Sequence, residues 1–102
     1  MKGGFIYILT NDGNSVLYTG VTSNLSHRLQ QHRTGFFKNS FTSRYNVSKL
    51  VYYEQFLTIE DAIQREKQLK AGSRQKKVEL IEKRNKEWQD ISPQFLFNWI
   101  KK

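Results

Sequence analysis

The apolar positions at the start of the chain form two short runs rich in aromatic and β-branched residues. Phe5-Ile6-Tyr7-Ile8-Leu9 and Val16-Leu17-Tyr18-Thr19-Gly20-Val21 flank Asn11-Asp12-Gly13-Asn14, and Asp-Gly between two such runs is a strong hairpin signal. With Asp12 and Gly13 as a two-residue loop, Tyr7 is expected directly opposite Tyr18, with both phenols on one face of the ribbon. The spacing then becomes helical. Asn24 is placed to cap a helix reaching about residue 34, with Leu25 and Leu29 on its inner stripe and Gly35 as its stop. Residues 36–46 follow neither period and read as an irregular loop, and a third strand follows over 50–56.

Thr58 is the cap expected for a second helix, whose apolar positions Ile59, Ala62, Ile63 and Leu69 end before Gly72. Ser73 caps a third, running to about residue 86 with Val78 and Ile81 inward. Beyond it Trp88, Phe95, Phe97, Trp99 and Ile100 imply a segment folded back onto the core, with Pro93 suited to start a short helix. The pattern predicts a small α/β fold: one domain over 1–102, with a core of about 4–86, an extension over 87–102, and a three-stranded sheet flanked by helices. The sheet includes an N-terminal antiparallel hairpin. No repeat, linker or low-complexity tract interrupts it.

Several polar residues fall where a core prefers apolar ones. At about 100° per residue, Glu66 lies in the middle of the stripe formed by Ile59, Ala62, Ile63 and Leu69. An unpaired carboxylate there costs several kcal/mol, so it is expected to meet an arginine, several donors or a metal ion. On the first helix His32 projects between Leu25 and Arg28, while His27 points to solvent. Arg28 and His32 form a pair one turn apart, suited to phosphate, although a core-side histidine also serves structural ends. Asn85 shares the stripe of Val78 and Ile81, as a nucleic-acid contact or a helix-end hydrogen bond. Glu54 is in phase with Leu50, Tyr52 and Phe56 and is expected to orient an arginine.

Composition narrows the chemistry. Among 102 residues there is no cysteine, which excludes disulfides, thiolate metal sites and thiol nucleophiles. No run approaches the roughly 20 apolar residues that span a bilayer, and no signal-peptide pattern opens the chain, so a cytoplasmic protein without membrane partners is expected. A formal charge of +8 draws in polyanions, above all nucleic acid, although a basic soluble domain need have no specific partner. Lys67, Lys70, Arg74, Lys76 and Lys77 gather near the junction of the second and third helices, where they can contact phosphates or form a solvated face. Phe36, Phe37, Phe41 and Tyr45 in the loop can stack on unpaired bases or pack internally, beside Lys38 and Arg44.

Four pieces, in order, resemble the GIY-YIG nuclease domain, in particular its short stand-alone bacterial members: Phe5-Ile6-Tyr7, Tyr18-Thr19-Gly20, the helix with Arg28 and His32, and the helix with Glu66. The resemblance runs from about Phe5 to Asn85, and departs at Phe5 and Thr19, neither of which supplies a reacting group. It implies a metal-dependent endonuclease acting on structured or damaged DNA, more readily than RNA, with little sequence specificity. Tyr7 or Tyr18 would be the general base, Arg28 would bind the scissile phosphate, His32 would assist proton transfer, and Glu66 would hold Mg²⁺ or Mn²⁺. An accessory module that binds nucleic acid without cleaving it is the alternative. The nuclease reading requires Tyr7, Tyr18, Arg28 and Glu66 to converge on one phosphate, with the phenols and the carboxylate on the same side of the sheet.

Overall fold

A computed structural model describes residues 3–33 and 45–95. Its elements run β1 (Gly4–Thr10), β2 (Leu17–Thr22), α1 (Leu25–Arg33), β3 (Lys49–Phe56), α2 (Ile59–Ala71) and α3 (Arg74–Arg84). The strands form one antiparallel sheet in the order β2-β1-β3. This is the expected architecture, and the expected capping residues start the helices. Asn24 accepts from the His27 amide at 3.1 Å, and Thr58 and Ser73 accept from Asp61 and Lys76 at 3.2 Å each. Gly72 closes α2 by donating to the carbonyls of Gln68 and Leu69.

The hairpin register differs from the expected one. Tyr7 pairs with Gly20 and Tyr18 with Leu9, so residues 11–16 form the connection rather than Asp12-Gly13 alone. Asn11 explains the longer loop, because its side-chain oxygen accepts from the amides of Ser15 at 2.9 Å and Val16 at 3.3 Å, while its carbonyl accepts from Asn14. The left-handed position is Asn14, at φ 56°, not Gly13. A displacement of two residues preserves parity, so the phenols still share a face.

Alternation along β1 divides the core. Ile6 and Ile8 join Val51, Tyr52, Ala62, Leu69 and Ile81 on the face covered by α2 and α3. Tyr7 and Leu9 join Leu25, Leu29, Val47 and Leu50 on the other face, beneath α1. Helix α2 sits close against β1 at Gly4, where a Cβ would lie 2.8 Å from Ile59 Cδ1 and 2.9 Å from Ala62 Cβ. Ile63, expected inward, is 36 % exposed, since the buried line runs through Ala62 and Leu69 and Ile63 lies about 100° round from it. Ile81 is buried as expected and Val78 only half-buried.

The segment after α3 does fold back. Trp88 packs on the α2/α3 side of the core, Ile91 and Phe95 on the α1 side, and Pro93 opens a helical turn. The Ile91 amide donates to the Leu50 carbonyl at 2.8 Å. Phe97, Trp99 and Ile100 lie outside the described residues, as do Gly35, Phe36, Phe37, Lys38, Phe41 and Arg44 of the loop.

Candidate active site

Tyr7 stands on the central strand, buried, with Gly20 as its cross-strand partner. A Cβ on Gly20 would lie 2.4 Å from both Cζ and Oη of Tyr7, so the phenol lies directly across the glycine, towards the outer edge of β2. Tyr18, on the same face, places its ring 6.3 Å from that of Tyr7. His32, one turn beyond Arg28 on α1, meets both rings edge-on at 6.1 and 6.0 Å, with Nε2 3.5 Å from Tyr7 Oη. The Arg28 guanidinium stands near enough to the Tyr7 phenol to draw its pKa down. Four of the expected catalytic side chains therefore meet in one cluster.

Their electrostatics fix their protonation. Burial raises the Tyr7 pKa well above that of an ordinary phenol, and the charges of Tyr18 and Glu66 add to this, outweighing the pull of Arg28. His32 is pushed down to about 4, first by burial and then by Arg28, so its ring is neutral at pH 7. With the imidazole proton on Nδ1, Nε2 accepts from the Tyr7 hydroxyl. At 3.5 Å this contact is at the long limit of a hydrogen bond.

Glu66 arrives differently from expectation. Its helix packs on the sheet face opposite the one beneath α1, so the expected placement on one side of the sheet does not hold; the convergence that the nuclease reading needs rests instead on the Glu66 charge bearing on the Tyr7 phenol across the two layers. The core arginine of this helix is Arg65, which grips Glu54 with Nε at 3.0 Å and Nη2 at 3.1 Å, while Tyr52 also donates to Glu54. Burial would raise the Glu54 pKa, but the bonds from Arg65 and Tyr52 lower it. Glu54 thus orients an arginine, as its phase on β3 suggests. Glu66 is about 100° round the helix from Arg65, on the side away from β3, and α2 crosses β1 and β2. Its side chain is only 15 % exposed and pairs with Lys70 at 3.0 Å. Its charge reaches Tyr7, whose phenol comes across Gly20 from the other layer.

No three His, Asp or Glu side chains gather as a metal cage among the described residues. A lone carboxylate supplies one hard oxygen ligand, which suits an ion that keeps most of its waters and takes further contacts from a phosphate, as Mg²⁺ does.

The expected basic contacts separate into different roles. Lys67 is exposed, Lys70 holds Glu66, and Arg74 pins the hairpin loop by donating to the Asn14 carbonyl at 3.0 Å. Lys76 and Lys77 face a cleft between α2 and α3. Asn85, expected on the nucleic-acid surface, instead ties the fold together: its amide donates to the carbonyls of Val51 and Gln89 and its oxygen accepts from the Gln89 amide. Sequence reasoning missed the space that Gly20 leaves for Tyr7. It also missed the anchor of α1, where Arg33 pairs with Asp90 at 2.7 Å and also bonds Ser92.

Residues 3–79 match the GIY-YIG catalytic domain. The chain belongs to this nuclease family. It is 39% identical over 85 residues to a UPF0213 protein of Staphylococcus haemolyticus, covering 82% of this chain and 100% of that protein. To a UPF0213 protein of Syntrophus aciditrophicus it is 37% identical over 81 residues, or 79% and 92% of the two chains. The solution structure of a UPF0213 protein from Bacillus halodurans aligns with a TM-score of 0.55 at 26% identity, over 89% of this chain and 95% of that one. Tyr7, Gly20, Arg28 and Glu66 all lie inside the part matched to the GIY-YIG domain. No helix among the described residues is long and apolar enough to cross a membrane.

Proposed function

We propose that this chain is a divalent-metal-dependent endonuclease that hydrolyses phosphodiester bonds in structured or damaged DNA with little sequence specificity. The observation that carries the reading is geometric: His32 Nε2 lies 3.5 Å from Tyr7 Oη, the rings of Tyr7, Tyr18 and His32 stand 6.0–6.3 Å apart, and Arg28 is one turn before His32 on the same helix. Arg28 takes the scissile phosphate. Glu66 is the ligand for Mg²⁺ or Mn²⁺, which when bound stabilises charge on the phosphate and on the leaving oxygen.

Tyr7 is assigned as the proton acceptor for the attacking water. Its ordinary state is protonated, so it can accept only as its own proton leaves, and His32 Nε2 faces that hydroxyl. In the forward step the water oxygen bonds phosphorus, the water proton goes to Tyr7 Oη, and the Tyr7 proton goes to His32. The bond to the leaving oxygen breaks, its electron pair stays on that oxygen, and the alkoxide takes a proton from solvent water. A bound phosphate next to His32 raises the basicity of the ring, which offsets its low starting pKa. Tyr18, half-buried, lies beside Tyr7 with its ring 6.3 Å away.

The test is cleavage of labelled branched and linear DNA with Mg²⁺ or Mn²⁺, with and without chelator. Glu66→Gln is expected to abolish cleavage while its thermal midpoint stays within a few degrees of the parent. Salt-dependent binding without cleavage of any substrate in either metal sinks the nuclease reading and leaves an accessory binding module.

A further inference from the structure

Helix α2 carries the Glu66 carboxylate on a side chain only 15 % exposed, and the ammonium of Lys70, one turn later and 55 % exposed, meets its Oε2 at 3.0 Å. A carboxylate so nearly enclosed is costly to leave unpaired, and the lysine compensates it from the more open end of the pair. The neighbouring cations are turned elsewhere: Arg65 to Glu54, Arg74 to the Asn14 carbonyl, and Lys77 to the Gly72 carbonyl at 3.4 Å. An ion bound directly to Oε2 stands about 2.1 Å from it, so with the lysine unmoved the two cations are no more than about 5 Å apart. A divalent and a univalent charge at that separation repel each other even through salt water.

Resting on the assignment of Glu66 as the metal ligand, we propose that Lys70 is the divalent ion's competitor within the chain. Ammonium and metal take the Glu66 carboxylate in turn, so Lys70 sets how readily the site loads in the protein without nucleic acid. The two ends of the pair are suited to this exchange. Lys70 is a point charge on a flexible stem, more than half exposed, and can swing away without disturbing the helix, whereas the enclosed carboxylate stays where it is. A lysine that served only to brace α2 would contribute to stability and leave metal affinity alone, which separates the two roles by measurement.

The experiment titrates the full chain, free of nucleic acid, with Mn²⁺ and follows the free ion by its electron paramagnetic resonance signal. Lys70→Gln is expected to bind Mn²⁺ about fivefold more tightly than the parent, the scale set by two such charges about 5 Å apart in screened water. Lys70→Met, which keeps the stem without the charge, is expected to show the same gain and replaces Lys70→Gln should that variant unfold. Lys70→Arg keeps the charge and is expected to stay close to the parent. Lys67→Gln removes an equal charge from an exposed position about 100° round the helix from Glu66, and its effect is expected to be less than about twofold. Glu66→Gln is expected to abolish binding in the parent and in Lys70→Gln alike. Equal gains from Lys70→Gln and Lys67→Gln overturn the proposal, because net charge alone would then account for them. Unchanged or weaker affinity in the uncharged Lys70 variants overturns it too, as does a lack of measurable binding by parent and variants together. Mn²⁺ binding that survives Glu66→Gln removes both the competitor and the metal role given to Glu66 in the proposed function. Binding that depends on Glu66 but not on Lys70 removes the competitor alone and leaves the nuclease reading standing.

Discussion

Replacing Gly20 with alanine tests the coupling between the hairpin and the chemistry. The new Cβ would stand 2.4 Å from Tyr7 Cζ and Oη, about 1 Å inside ordinary van der Waals contact. The ring cannot avoid it by turning into solvent, because Tyr7 is 0 % exposed and packed among Leu9, Leu25 and Leu29. Overpacking of this kind costs about 1–3 kcal/mol, which for a domain of this size lowers the thermal midpoint by roughly 4–20 °C. The same displacement moves the phenol by about 1 Å relative to Arg28 and His32, enough to reduce turnover on the order of a hundredfold. Urea denaturation of Gly20→Ala, Tyr7→Ala and the double variant isolates the interaction, because alanine at position 7 removes the atoms that collide. The double variant is expected to be no less stable than Tyr7→Ala alone. If the two single costs simply add, Gly20 is not making room for the phenol, and the hairpin does not set where the Tyr7 hydroxyl stands.

Two further outcomes follow from the titrations. His32 resists protonation until about pH 4 when folded but takes a proton near 6.5 when unfolded, so the unfolded state binds more protons between these values. Stability is therefore lost as pH falls from 6.5 towards 4, by on the order of 1–3 kcal/mol after solvent screening, and His32→Gln is expected to flatten this limb in a series of denaturation curves. Burial would raise the Asp90 pKa, but bonds from Ser92 and the Leu50 amide, with the charge of Arg33, hold it below the usual carboxylate value. Its stabilising effect is present above the unfolded pKa and is lost as pH falls through the folded one. Asp90→Asn is expected to cost about 1 kcal/mol at pH 7, and the gap to the parent closes in strong acid.

Much of the site was legible because periodicity reports faces. Tyr7 and Tyr18 share a face under either register, since only an odd displacement would separate them. The loop length was not legible, because Asn11 competes with Asp12-Gly13 through side-chain hydrogen bonds that a turn dipeptide does not reveal. The inward position of Glu66 was readable from its place between Ala62 and Leu69. Which layer its helix joins was not, since a stripe says that a helix is covered and not by which face of the sheet. Ile63 shows the opposite error, an apolar residue credited to a stripe it lies beside. Asn85 has the same phase as Ile81, yet phase cannot distinguish a ligand-binding amide from one that closes the end of α3.

The match to the family's catalytic domain ends at residue 79, yet Asp90 and Ser92 grip Arg33 at the last turn of the helix that presents Arg28 and His32. Trimming the chain to the matched region would keep every motif but release the mooring of that helix and remove Ile81 and Asn85, which close the core at α3. A fragment cut at the family boundary is therefore expected to present Arg28 and His32 less firmly than the 102-residue chain does.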